Sequence, residues 1–157
     1  MYSGYPHPYW ANHNRPMLLP QTAEYAIRAV LYLARLDSPD YVGVSDIARE
    51  TEVPENYLSK VLGQLVRAEL LQSSRGPNGG FRLAGNASDL TLERVAGVLA
   101  PPTRPRCLLG TGVCGEVDDC AVHELWAPIA AQLQDFLRTT TIAQLAGSSS
   151  ITAGGAV

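Results

Sequence analysis

No run of about eighteen uninterrupted apolar residues occurs anywhere in the chain, and the amino terminus lacks a basic segment followed by an apolar one. Neither a spanning helix nor an export signal is expected, and the expected setting is the cytoplasm with no membrane partner. Charge is scarce at 17% of residues and leans acidic, 12 Lys and Arg against 15 Asp and Glu for a net −3. Such a balance excludes a blanket hold on polyanions, so any nucleic-acid contact has to be local and shaped. Cysteine is scarcer still: three residues, an odd number, all between positions 107 and 120. They do not form a disulfide framework and read instead as one site. Of the three histidines two lie in the first sixteen residues, so no Cys-His-Asn or Ser-His-Asp set assembles and no enzyme is expected. What is plentiful is apolar side chain, 46% of 157 residues, enough for one compact core plus an accessory element.

Residues 1–16 mix Pro, His, Asn and Tyr without periodicity and read as a disordered extension, and residues 147–157 are a Ser, Gly and Ala tail. Patterning begins at Met17. Thr22 is a candidate N-cap and Glu24 suits the positive end of a first turn, after which Tyr25, Ala26, Ala29, Val30 and Leu33 recur at helical spacing as far as Leu36. Ser45 is a candidate cap for a short helix carrying Ile47 and Ala48, and Pro54 suits the first position of the next one. That second helix gathers Leu58, Val61, Leu62 and Leu65 on one face. Asn56, Lys60, Gly63 and Arg67 fall opposite, with Ser59 at the margin. Two short helices of this kind make a minimal helix-turn-helix, whose second helix fits a major groove; the same hairpin is also an ordinary packing unit.

The following residues strengthen the DNA-binding alternative. Leu70-Leu71-Gln72 leads through Ser73 to Leu83 in a pattern that predicts a hairpin with Gly76, Pro77, Gly79 and Gly80 at its tip. Arg75 and Arg82 flank that tip with no acid between them, giving a thin wing with local positive charge, suited to a minor groove or a phosphate. Thr91 is expected to cap a helix over Leu92–Leu99, ended by Pro101 and Pro102. Leu125, Ile129, Leu133 and Phe136 then mark a long helix from about Val122 to Thr139, with Pro128 either near its start or at a kink. Residues 141–145 suit one last turn or short helix.

Between the last two long patterns lie Cys107, Cys114 and Cys120, separated by six and five residues, with His123 three beyond. Thiolates suit iron–sulfur clusters and zinc, and Gly110, Gly112 and Gly115 let a chain wrap round a site. Structural zinc favours closer cysteine pairs, so this spacing leans toward a cluster. Buried or redox-active free thiols are the plainer reading, and a lone histidine is more often structural than a ligand. Residues three apart share a helix face, which makes His123 a candidate fourth ligand beside Cys120.

Taken in order, MLLPQTAEYAIRAVLYLA, VPENYLSKVLGQLVRAELL, SSRGPNGGFRLA and three cysteines before a long helix resemble the IscR/NsrR family of winged helix-turn-helix transcriptional regulators, over about Met17 to Gly147. The resemblance implies a mainly α fold with a small β-hairpin wing. It divides the chain into a DNA-binding domain over 17–100, a cluster loop over 101–121 and a dimerisation helix over 122–146. It implies that Asn56, Tyr57, Ser59 and Lys60 face bases or phosphates, that Arg75 with Gly76, Gly79 and Gly80 forms the wing contact, and that Leu125, Ile129, Leu133 and Phe136 join a homodimer. A two-fold dimer implies a partly palindromic double-stranded DNA operator. For the cofactor, the resemblance implies an iron–sulfur cluster on Cys107, Cys114 and Cys120. CAVHELW resembles the arrangement in which a histidine completes a 2Fe-2S cluster, here His123; Glu24 stands where an acidic residue of the partner subunit completes a 4Fe-4S one. His123 is preferred, because its spacing suits coordination in cis whereas Glu24 has the alternative task of stabilising a first turn. Within the same fold, a metal-free thiol/disulfide redox switch is the alternative.

Overall fold

The computed structural model describes residues 19–100 and 121–147. The expected extension over 1–16, all three cysteines and the tail from 148 onward lie outside the described residues.

Helix α1 (Gln21–Leu36) buries Ala26, Ala29, Val30 and Leu33 of the expected stripe together with Ala23 and Leu31, while Tyr25 is only partly buried. It starts without a side-chain cap: the Pro20 carbonyl accepts from the Ala23 and Glu24 N–H groups at 2.9 and 3.1 Å, so Thr22 stands inside the helix rather than at its cap. Asp37, left-handed at φ 44°, ends it. Helix α2 (Val44–Thr51) likewise starts from a backbone cap, Gly43, and the expected cap Ser45 is its second residue. Left-handed Glu52 closes α2 by donating its N–H to carbonyls of the last turn. Helix α3 (Glu55–Arg67) follows at once. Pro54 is its N-cap, one position before the expected one, and its carbonyl accepts from Tyr57 and Leu58 at 3.0 Å.

Strands β1 (Leu71–Ser74) and β2 (Gly80–Leu83) pair antiparallel, Leu71 opposite Leu83 and Gln72 opposite Arg82. A single residue of the α1–α2 connection extends this ladder: Val42 N–H donates to the Phe81 carbonyl at 2.9 Å, and Phe81 N–H donates back to Val42 at 2.8 Å. Helix α4 (Leu92–Gly97) is capped by Thr91, whose hydroxyl accepts from Arg94 N–H, as expected. Its regular part stops short of Leu99.

Helix α5 (His123–Thr139) begins little more than one turn before Pro128, which therefore costs one internal hydrogen bond near the start. It does not continue to residue 146. The chain turns at Thr140, Thr141 bridges back to Thr91, and helix α6 (Ile142–Gly147) packs on α1 with Ile142 fully buried. Two backbone bonds tie this junction, Leu92 N–H to Thr140 at 3.0 Å and Ile142 N–H to Leu90 at 2.7 Å. The core is centred on α1, against which α2, α3, α4, α6 and β2 all pack. Ile47, Leu58, Leu62, Leu65, Leu71 and Val95 fill it from the other elements. Helix α5 lies at the edge of this core, packed on α4 with Leu137 against the core and only Ala130 buried.

Candidate functional site

The packing of α3 decides which of its residues face solvent. With Leu58, Val61, Leu62 and Leu65 against α1 and α2, Asn56, Tyr57, Ser59, Lys60, Gln64 and Arg67 are exposed along the outer face. Tyr57 is 55% exposed, a large aromatic in the first turn of the helix with no core to fill. Some of these polar groups are already committed. Asn56 Oδ1 accepts from Tyr57 N–H at 2.9 Å, leaving the Asn56 amide to donate. Ser59 Oγ donates to the Glu55 carbonyl at 2.9 Å and so faces outward as an acceptor. Arg67 Nε donates to the Gly63 carbonyl at 3.2 Å. Among the described residues Lys60 enters no ion pair.

The cation of α2 is different. Arg49 is held by Asp46 at 2.8 Å and Glu50 at 3.2 Å, and the hydrogen bond to Glu50, then that to Asp46, push its pKa further up. Two carboxylates offset its single charge. The same acids, after burial, raise the Tyr32 phenol above its ordinary value. The basic character of this surface therefore belongs to α3 and the wing rather than to α2.

At the wing tip Gly76 has φ +106°, a backbone conformation reserved for glycine. Gly80 has an internal reason as well. At φ +152°, a Cβ there would sit 2.1 Å from the Val42 carbonyl oxygen, so the strand reaches Val42 only because no side chain intervenes. Arg75 is exposed and enters no ion pair among the described residues. Arg82, expected from its place in the sequence to be a second loose cation, is instead engaged. Its Nε and Nη2 donate to Gln72 Oε1 at 3.1 and 3.0 Å, Nη1 donates to the Pro39 carbonyl at 2.7 Å, and the guanidinium lies 4.5 Å from the centre of the Tyr41 ring. Only the cross-strand position of Gln72 hinted at this from sequence.

Of the candidate cluster ligands, Cys107, Cys114 and Cys120 lie outside the described residues, and His123 is the half-buried first residue of α5. Among the described residues no group of three metal-binding side chains occurs. Glu24, in the first turn of α1, is ion-paired with Arg28, whose Nη1 also reaches the Thr51 carbonyl at 3.4 Å at the end of α2. On α5, Leu125, Ile129 and Phe136 are 77%, 55% and 52% exposed and Leu133 is partly so, an apolar stripe turned away from its own core.

A helix-turn-helix beside a glycine-tipped hairpin, closed over one core, is a winged helix, and its sequence has close relations. Residues 19–148 match the Rrf2 family, described as an iron-dependent transcriptional regulator. The chain belongs to the Rrf2 family. A protein of Aquifex aeolicus assigned as an HTH-type transcriptional regulator is 34% identical over 132 residues, spanning 82% of this chain and 91% of that protein. The HTH-type transcriptional regulator IscR of Vibrio campbellii is 29% identical over 129 residues, spanning 82% of this chain and 77% of its own. Among solved structures, CymR, the global cysteine regulator of B. subtilis, superposes with a TM-score of 0.72 at 25% identity over 85% of this chain and 99% of that one. Like its Rrf2 relatives, the chain is a DNA-binding transcriptional regulator and not an enzyme. No described helix is long and apolar enough to cross a membrane.

Proposed function

We propose that this Rrf2 regulator acts as a homodimer whose hold on a partly palindromic operator is governed by an iron–sulfur cluster on Cys107, Cys114 and Cys120, with His123 as fourth ligand. The observation that carries this reading is positional. His123 opens α5 three residues after Cys120, and α5 packs on α4 while turning its apolar stripe outward. The donor segment thus joins the DNA-binding core to the helix that would join two copies. The donor set fits the group chemically, since thiolates are the usual ligands of such clusters and an imidazole replaces one where the site is tuned. When bound, a cluster supplies a link sensitive to electron count and to competing small ligands. His123 contributes a neutral nitrogen donor, more readily displaced than a thiolate, and its helix carries the consequence toward the dimer face. Glu24 of a second copy is the alternative fourth ligand, for a 4Fe-4S rather than a 2Fe-2S cluster, and would have to part from Arg28 first.

In this reading Asn56, Tyr57, Ser59 and Lys60 meet bases and phosphates in the major groove. Arg75, carried by the turn of Gly76, Gly79 and Gly80, reaches a minor groove or phosphate, while Leu125, Ile129, Leu133 and Phe136 pair the two subunits.

Anaerobic purification followed by the visible spectrum, with iron and acid-labile sulfide assayed on one sample, tests the proposal. Colour with matched iron and sulfide is expected, lost in Cys114→Ala together with the cluster-dependent change in operator affinity. Unchanged iron and operator response in that variant overturn it. Colourless protein after attempted reconstitution, with a mass loss of a disulfide's two hydrogens on mild oxidation, would instead establish the thiol switch.

A further inference from the structure

We propose that Arg82 is a positioning residue that locks the wing to the α1–α2 connection, and that it holds Arg75 in place without itself contacting DNA. The guanidinium meets three separate pieces of the chain. It takes Gln72 of β1 in a two-pronged hydrogen bond to one oxygen, takes the Pro39 carbonyl from a position 43 residues earlier in sequence, and lies over Tyr41. Beside Arg82 on β2, the Val42–Phe81 backbone pair and the Gly80 close approach fasten the same two segments. A two-stranded hairpin alone is only marginally stable in water, so these contacts decide how the wing is aimed. Since the α1–α2 connection runs directly into α2, the wing and the helix-turn-helix are held as one body.

The chemistry of the clamp separates it from a DNA contact. Both hydrogen-bond acceptors are neutral, a carboxamide and a peptide carbonyl, so salt does not screen the clamp as it screens an ion pair. A phosphate contact behaves oppositely: each one lost reduces the slope of log affinity against log salt by about 0.9. Lysine keeps the charge of arginine but not its planar fork, and cannot satisfy Gln72 and Pro39 together.

The proposal rests on the wing being a DNA-contacting element, and the experiment separates the two. Full-length wild type, Arg82→Lys, Arg82→Ala, Gln72→Leu, the Gln72→Leu/Arg82→Ala pair, Arg75→Ala and the Arg75→Ala/Arg82→Ala pair are compared by hydrogen exchange without DNA and by operator titration at several salt concentrations. Expected are faster exchange in residues 71–84 and 39–43 for both Arg82 variants, with protection of α3 retained. Operator affinity falls about three- to tenfold in each, the scale of one or two lost hydrogen bonds, and in an Arg75→Ala background Arg82→Ala leaves the salt slope where Arg75→Ala alone puts it. The Gln72→Leu/Arg82→Ala pair should lose less than the sum of its parts. Wild-type exchange in Arg82→Lys, full affinity in Arg82→Lys, or a slope reduced by about a further one when Arg82→Ala is added to Arg75→Ala each overturn the positioning role. Arg75→Ala with unchanged affinity and slope would instead refute the wing contact, while the exchange result still judges Arg82.

Discussion

At the scale of single residues, three glycines with one appearance in sequence do three different things. Gly80 combines a positive φ with a backbone neighbour that a methyl group would strike, whereas Gly76 has the positive φ and open space. Gly80→Ala should therefore cost more than the roughly 1–3 kcal/mol of backbone strain alone, and Gly76→Ala no more than that. Urea unfolding midpoints check the order. Gly63, inside α3, is the reverse case, because a methyl group added there would meet nothing within 4 Å. Gly63→Ala should stabilise the fold by up to about 1 kcal/mol, since helical glycine is unfavourable to that extent. If α3 lies against DNA along this face, the same variant weakens operator binding as it raises the melting temperature.

At the scale of elements, the dimer reading of α5 makes its own prediction. Leu125, Ile129 and Phe136 lie three or more residues apart on a helix that buries only Ala130 against its core. Ile129→Glu should give a monomer by sedimentation velocity with the helical content of α1–α4 retained, and should weaken binding to a two-half-site operator. The elements themselves were largely legible in sequence. The stripes of α1, α3 and α5 each repeat at helical spacing over several turns, and the glycines and proline at positions 76–80 announce the hairpin between two strands. Caps were less legible: Thr22 and Ser45 have the right side chains, yet Pro20 and Gly43 begin the helices through backbone carbonyls. Three contacts left no local trace at all. Val42 pairs as a single residue without a strand period, Arg82 is fixed by a carbonyl far away in sequence, and α6 folds back because Ile142 meets α1.

At the scale of the whole molecule, the net charge of −3 leaves few cations for the DNA face. Arg28, Arg49 and Arg138 are engaged by carboxylates. Lys60, Arg67 and Arg75 remain on α3 and the wing, and a dimer using all of them would release counterions with a log–log salt slope of about −5. Operator titrations between low and moderate salt measure it, and a slope near zero would move the DNA interface off this face. The surrounding acids act in the same direction as specificity, because they repel DNA wherever the shaped contacts are absent.

The bridge between Thr91 and Thr141 gives the chain an unusual itinerary. Everything from α4 through the cysteines to the end of α5 departs from one doorstep and comes home to it, the outbound and inbound strands touching as they pass. Between the end of α4 and the start of α5 such a detour can change in length without moving its two ends. What must keep its fit along the way is α4, whose Leu92 and Val95 belong to the core around α1.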